Sequence, residues 1–123
     1  MPVRNRTEMT WTLENVERPG ARVTLNSPAF GDYEVVSVRP GEHIKATASP
    51  APKGRNAVEM GIYPSDMLGN VKQWLEKGGT TVLYVRDDDA TINQGDMGYV
   101  YLCDGSNLVD KPYLAVAQFY IEA

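Results

Sequence analysis

The stretch DDDATINQGD, residues 87–96, is the part of the sequence whose residue types could do chemistry. It holds four of the chain's eight aspartates. An EF-hand calcium loop needs a glycine at its sixth position and a bidentate glutamate at its twelfth. Counted from the first aspartate, those positions hold Ile92 and Gly98, so the stretch is not an EF-hand. A looser calcium site is the alternative, and its candidate ligands are Asp87, Asp89, Asn93 and Asp96.

The same stretch lies between two strand-like runs, residues 80–86 and 98–103. Asp and Asn favour turns because their side chains hydrogen-bond the nearby backbone, and Gly95 accepts a positive φ. We therefore predict an acidic loop, residues 87–97, at the tip of a long hairpin and without a bound metal.

The chain has a single histidine, His43, and a single cysteine, Cys103. A zinc site needs several such ligands, and a cysteine nucleophile needs a histidine base beside it. His43 follows a Pro-Gly turn signal, which indicates a surface position, whereas Cys103 alternates with tyrosines in a strand pattern typical of a buried residue. No glycine spacing matches a phosphate-binding or dinucleotide-binding loop. The sequence therefore predicts no catalytic residue, no cofactor and no enzyme activity.

Net charge and hydropathy argue against several classes of function. The chain carries 12 Lys and Arg against 16 Asp and Glu, a net charge of −4, whereas nonspecific nucleic-acid binding needs clustered cations. No apolar run approaches the roughly 18 residues of a membrane span. Residues 1–9 carry positive charge with no apolar stretch after them, so no signal peptide is predicted. We expect one domain of 123 residues, made in the cytoplasm, with a virion as its further destination.

Alternating apolar and polar residues predict about eight strands, separated by Pro, Gly, Asn and Ser turn signals. The period changes only at SDMLGNVKQWLEKGG, where apolar residues recur at helical spacing before a Gly-Gly pair, so we predict one α-helix at about 66–77. The fold class expected is all-β and mainly antiparallel, a sandwich or jelly-roll-like barrel with that helix. The last run, 113–121, is apolar on both faces, which predicts a strand that is central or is covered by a neighbouring subunit.

Three segments stand apart from this pattern: an N-terminal arm at 1–8, an irregular arm at 49–56 and the acidic loop 87–97. Residues 1–61 carry eight Lys or Arg and seven Asp or Glu, a net charge of +1, whereas residues 62–123 carry four and nine, a net charge of −5. That split fits chance variation among solvated loops, and the alternative interpretation is a subunit whose basic part meets a neighbour's acidic part. The predicted interface residues are Arg4, Arg6, Pro50, Pro52, Lys53, Arg55, Asp87, Asp88, Asp89 and Asn93.

These features favour a non-enzymatic structural subunit that binds proteins, either its own copies or a capsid or tail lattice, rather than nucleic acid or membrane. A homo-oligomer or a large complex is expected. The form expected first is a tailed-phage capsid decoration or cement protein, and next a tail or baseplate subunit. The main alternative is a carbohydrate-binding or ligand-binding module with an aromatic face. The tyrosines of this aromatic face are Tyr84, Tyr99, Tyr101, Tyr113 and Tyr120. A small carboxylate-based enzyme and a protein inhibitor are less favoured.

Overall fold

The computed structural model describes residues 9–19, 22–25, 35–62, 72–76, 78–88, 92–104 and 113–122. Nine β-strands lie in these ranges, and no helix does. In chain order they are β1 (Thr10–Asn15), β2 (Arg22–Leu25), β3 (Val35–Val38), β4 (His43–Ser49), β5 (Asn56–Ile62), β6 (Lys72–Trp74), β7 (Thr80–Tyr84), β8 (Met97–Asp104) and β9 (Tyr113–Ile121).

The strands form two sheets that pack against each other. The first sheet has four strands in the order β2-β1-β4-β7, and the second has five in the order β3-β9-β8-β5-β6. All pairings within the sheets are antiparallel except that of β3 with β9, which is parallel. The predicted all-β, mainly antiparallel sandwich is therefore confirmed, with nine described strands rather than about eight.

The core lies between the two sheets because apolar residues alternate with polar ones along the strands. In β4, Ile44 and Ala46 are buried while Lys45 is exposed. Trp11 of β1 is fully buried, and its indole Nε1 donates a hydrogen bond to the Val100 carbonyl of the opposite sheet, at 3.2 Å. Truncating a buried aromatic side chain of this size typically costs about 3–5 kcal/mol. Trp11 therefore joins the two sheets by both apolar packing and one directed hydrogen bond.

Strand β9 is buried on its core-facing side and partly buried on its outer side, where Tyr120 is 36% exposed. Ala117 and Phe119 pack into the core between the sheets. Val116 points to the other side of the strand, yet it is only 1% exposed. Because β9 lies between β3 and β8 in the five-stranded sheet, the central position predicted for this apolar strand is confirmed.

The predicted helix at 66–77 is wrong over its described part. Lys72–Trp74 form β6, which pairs with β5, and residues 63–71 lie outside the described residues. The Gly78-Gly79 pair forms a chain reversal into β7 instead of a helix end, and the two φ angles are 96° and 82°. Glycine favours positive φ in tight turns as well as at helix ends, so the local signal fits both structures. Pairing with β5, a segment distant in sequence, decides between them.

The acidic loop 87–97 is also not a hairpin tip. Strand β7 belongs to the four-stranded sheet and pairs with β4, whereas β8 belongs to the five-stranded sheet and pairs with β5 and β9. The chain therefore crosses from one sheet to the other between β7 and β8. The irregular segment 49–56 contains a second crossing of this kind, since β4 and β5 also lie in different sheets.

Gly79 is predicted to be needed for the reversal between β6 and β7. A Cβ atom at this position would lie 2.5 Å from the Ala48 carbonyl oxygen, and its φ of +82° is strained for an L side chain. Gly79→Ala should therefore lower the free energy of unfolding by about 2–4 kcal/mol, measured by urea denaturation. Gly78→Ala is the matched control, because its φ is +96° but no atom lies within 4 Å of the added Cβ. We expect that control to lose only about 1–2 kcal/mol, and equal losses would contradict a role for the close approach.

Candidate functional site

The two crossings between the sheets carry most of the predicted interface residues. We name residues 50–55, between β4 and β5, the cationic connection, and residues 85–96, between β7 and β8, the acidic connection. Strands β4 and β7 are antiparallel neighbours, so the end of β7 lies beside the start of β4. Strands β5 and β8 are also antiparallel neighbours, so the start of β8 lies beside the end of β5. The two connections therefore lie at opposite ends of the sandwich, about 20 Å apart for strands of this length.

The cationic connection is held in shape by the first residue of β5. Asn56 is buried, and its Nδ2 donates hydrogen bonds to the carbonyls of Pro52 and Gly54, at 3.1 and 3.3 Å. Pro50 is exposed and Pro52 is half-buried. Because one buried amide holds two carbonyls, the loop keeps a defined path although it has no regular secondary structure.

The two charges of the cationic connection, Lys53 and Arg55, are exposed. The Arg55 guanidinium carbon lies 3.8 Å from the ring centroid of Trp74, a cation–π contact with the edge strand β6. Such a contact at an exposed position contributes about 0.5–1 kcal/mol. The guanidinium is therefore positioned against the body of the protein, and its positive charge is presented at this end of the sandwich.

The first half of the acidic connection presents two exposed carboxylates. Asp87 accepts a hydrogen bond from the Tyr84 hydroxyl at 3.2 Å, and Asp88 forms an ion pair with Arg86 at 3.0 Å. The pKa of the Tyr84 phenol is raised, first by desolvation and then by its hydrogen bond to Asp87. These contacts give the acidic side chains defined positions at the surface.

The second half of the acidic connection is attached to β9 and to the core. Ile92 is buried in the core cluster. The Gly95 amide donates to the Ile121 carbonyl at 2.8 Å, and the Ile121 amide donates to the Asp96 carbonyl at 2.9 Å. Asn93 is exposed and lies between these anchors. Residues 92–96 of the acidic connection therefore follow the surface of the sandwich.

Three of the four candidate calcium ligands, Asp87, Asn93 and Asp96, lie in the described part of the chain, and hydrogen bonds within the protein reach both carboxylates. The Asp87 carboxylate accepts from Tyr84, and the Asp96 carboxylate accepts from the Asn93 backbone amide at 3.0 Å. No group of three or more acidic, His or Cys residues that could hold a metal lies within the described ranges. The fourth calcium candidate, Asp89, which is also a predicted interface residue, lies outside the described ranges, as do the predicted interface residues Arg4 and Arg6.

A polar network at the acidic end of the sandwich joins the two sheets. We name its members the end clamp: Asn15, Arg18, Glu42 and Glu122. Asn15 is fully buried, and its Nδ2 donates to the Ser37 carbonyl of β3 and to the Glu42 carboxylate, both at 3.0 Å. Its Oδ1 accepts from the backbone amides of residues 17 and 18. Both donors and both acceptor positions of this buried amide are therefore satisfied.

Arg18 connects the carboxylates of the end clamp. Its Nε and Nη2 donate to the two oxygens of Glu42 at 3.1 and 2.9 Å, a bidentate pair of the stronger kind. Its Nη1 forms an ion pair with Glu122, which follows β9 in the other sheet. Arg39 also approaches Glu122, at 3.6 Å. One guanidinium therefore links the four-stranded and five-stranded sheets.

Glu42 is the charge at the centre of the end clamp. Burial raises the pKa of its carboxyl, but hydrogen bonds from Arg18, Asn15 and the Arg39 backbone amide together outweigh burial, so the pKa falls to about 2. The pKa of the Glu17 carboxyl is also lowered, chiefly by a hydrogen bond from the His43 backbone amide. Both carboxylates are therefore stabilised as anions by folding.

His43 and Cys103 lie in different sheets, so they do not form a thiol–imidazole pair. The His43 side chain is 39% exposed, with Nδ1 2.7 Å from Glu17 Oε2 and its ring centroid 5.0 Å from that of Tyr84. Cys103 is 2% exposed, and its Sγ lies 3.5 Å from the Glu59 carboxylate. The buried position predicted for Cys103 is confirmed.

The predicted aromatic face is divided between the two sheets. Tyr84 lies on the outer face of the four-stranded sheet, whereas Tyr99, Tyr101 and Tyr120 lie on the outer face of the five-stranded sheet. The rings of Tyr99 and Tyr101 are stacked, with centroids 6.0 Å apart and planes at 25°. Tyr113 is the first residue of β9. At most four of the five tyrosines can therefore share one surface.

The end clamp is the cluster that the sequence analysis missed. Its one local signal is Asn15, a polar residue at a position where the alternation of Trp11 and Leu13 predicts a buried apolar side chain. Its partner Glu42 is 27 residues away in the sequence. The pairing of β1 with β4 brings the two together, and no spacing rule in the sequence gives that pairing.

Comparison with known proteins found no match to a family, to a curated protein or to a solved structure. Among the described residues, no helix is long and apolar enough to cross a bilayer.

Acid is predicted to destabilise the protein through the end clamp. The folded pKa of Glu42 lies below the ordinary value of 4.5, so as the pH falls the unfolded chain binds its proton first. The stabilisation from Glu42 is present above pH 4.5 and is lost as the pH falls toward about 2. Glu42→Gln should lower the free energy of unfolding at pH 7 by about 2–4 kcal/mol and flatten its decline below pH 4.5, both measured by urea denaturation.

Glu17→Gln is the comparison variant, because the Glu17 side chain is 40% exposed and water competes for its hydrogen bonds. It should change the acid dependence less than Glu42→Gln does. An acid dependence unchanged in Glu42→Gln would contradict the assignment of the effect to the end clamp.

Proposed function

We propose that the protein is a non-enzymatic structural subunit of a larger assembly, whose copies meet through opposite ends of the sandwich. One observation carries this proposal: the described side-chain charges at the two ends differ in balance. Among side chains that the structure describes, six carboxylates outnumber three guanidinium groups at the acidic end, and two cations outnumber one carboxylate at the cationic end, where the backbone of a second acid, Asp104, also lies beside Asn56. The residues are Glu17, Glu42, Asp87, Asp88, Asp96, Glu122, Arg18, Arg39 and Arg86 at the first end, and Lys53, Arg55 and Glu76 at the second.

Both charged ends are attached to a rigid body, which supports a contact of defined geometry. Arg55 rests on Trp74, and the acidic connection is hydrogen-bonded to Ile121. Side chains held in place before contact lose less conformational entropy when they bind. Complementary charges of this kind chiefly set the register and the rate of association.

Because ion pairs between exposed side chains are weak, we expect an assembly with many repeated contacts instead of one tight contact. An ion pair between exposed side chains contributes about 0–1 kcal/mol, and salt screens charges beyond about 10 Å at 0.1 M. One end-to-end contact is therefore weak. A head-to-tail contact that does not close into a ring repeats along a row of subunits, so many weak contacts act together.

The more specific form that we propose is a tailed-phage virion protein, first a capsid decoration or cement protein and second a tail or baseplate subunit. A sandwich with connections at both ends suits a lattice, because the connections add contact area while the body stays fixed. Particles from producing cells should be fractionated on a density gradient. The chain should band with particles at a constant ratio to their main protein, and its recovery only in the fractions without particles would contradict this form.

Charge reversal at the cationic end tests the end-to-end contact. Wild-type protein should sediment faster as its concentration rises, and more so at low salt than at high salt. Lys53→Glu/Arg55→Glu should reduce this association about tenfold or more, because it places like charges at both ends. Lys53→Gln/Arg55→Gln is the matched control and should give a smaller reduction. Association that is independent of salt and of both variants would contradict the proposal.

A carbohydrate-binding module is the second candidate, and the stacked pair Tyr99 and Tyr101 supports it. Both rings are half-buried, so part of each remains open on the outer face of the five-stranded sheet. Sugar rings pack on such aromatic surfaces. If this candidate is right, Tyr99→Ala should abolish retardation of the chain in gels that contain soluble polysaccharides, whereas Tyr84→Ala on the other sheet should not. Equal migration of wild type and both variants in all the polysaccharides would count against this candidate.

A further inference from the structure

Threonines occupy one register row across the middle of the four-stranded sheet. Thr24, Thr12, Thr47 and Thr80 are directly opposite one another in the register, so a row of threonines crosses all four strands. Short β-branched side chains leave the backbone of a sheet accessible to a second flat surface. This row contains no long side chain that would hold another sheet away.

In register, the adjacent row runs from Arg22 of β2 through Glu14 and Lys45 to Val82, so it holds two cations, one carboxylate and an exposed apolar residue. Glu14 of β1 is opposite Lys45 of β4, which is opposite Val82 of β7. Among the described residues, neither Glu14 nor Lys45 forms an ion pair. Val82 is 45% exposed, and Tyr84 on the same face is 41% exposed. The described side chains of this outer face therefore combine a positive charge, a negative charge and apolar surface.

We propose that this face docks against the same face of a second copy of the chain, related by a two-fold axis that runs parallel to the strands between β1 and β4. Rotation about that axis exchanges the positions of β1 and β4 across the interface. Glu14 of one copy then faces Lys45 of the other, and the pair occurs twice because the interface is isologous. Thr12 faces Thr47 in the same way, and Val82 lies over strand β2 of the other copy.

The axis lies at the centre of the sheet, since the strand order is β2-β1-β4-β7. The two faces therefore overlap over their full width. Four strands about 4.8 Å apart and about 20 Å long give a projected face of roughly 300 Å². Stable interfaces bury about 800 Å² of each partner, so this contact is weak and depends on concentration.

This inference rests on the proposed function, because it names a second copy as the partner of an assembly subunit. It adds a contact in a second direction to the end-to-end contact. A head-to-tail row of subunits grows along one direction, and an isologous face contact, which each subunit makes once, joins two such rows face to face.

The test reverses one charge at a time on the full-length chain. Lys45→Glu makes both central positions acidic, and Glu14→Lys makes both basic. Each variant alone should lose at least about tenfold in its association constant by sedimentation velocity, because two like-charge contacts replace two opposite ones. An equimolar mixture of the two variants should associate at least as tightly as wild type. Thermal unfolding of each variant at low concentration verifies that it is folded.

Three results separate this inference from the proposed function. Lys53→Glu/Arg55→Glu should keep the face contact and form dimers, while wild type forms larger species. If wild type associates and neither Lys45→Glu nor Glu14→Lys weakens that association, the face contact is overturned and the end-to-end contact still stands. If wild type is monomeric at every concentration and the mixture of the two variants forms no complex, both the face contact and the end-to-end contact are overturned.

Discussion

The hydrogen bonds of the end clamp are the constraint on which the arrangement of the two sheets depends. Apolar packing between sheets is not directional, so it permits more than one relative position. Asn15, by contrast, donates and accepts only in defined directions, Arg18 donates only in defined directions, and both bind groups from both sheets. A buried polar network stabilises only if it is complete, and Asn15 has partners for all its donor and acceptor positions. The clamp therefore fixes how one sheet lies over the other.

The core provides the second connection between the sheets. Trp11 crosses from β1 to the Val100 carbonyl, and this bond lies inside the apolar layer instead of at its end. The sheets are thus joined by directed bonds at their interior and at the acidic end. A body joined in this way holds the cationic and acidic connections at a fixed separation. Charges that keep a fixed separation can be matched by a neighbouring copy, which is the physical basis of the assembly that we propose.

Most of the strands, and part of the candidate site, could be predicted from the sequence. The period-2 pattern located the strands because burial of one face leaves a local trace in every second residue. Composition likewise indicated that Lys53 and Asp87 lie in irregular segments, and both are exposed. The helix at 66–77 was wrong over 72–74 because a glycine pair and an apolar stripe fit two structures. Only pairing with a distant strand distinguishes them.

The sequence by itself determined which residues face the core, since alternation of side-chain character along a strand is a local property. The tertiary structure decided which strands are neighbours. It separated β7 and β8 into different sheets, placed the two charged connections at opposite ends, and brought Asn15 to Glu42 across 27 residues. Strand pairing depends on backbone hydrogen bonds, which every residue except proline can make. The side chains therefore say little about which strand is the partner, and packing of the whole chain must select it.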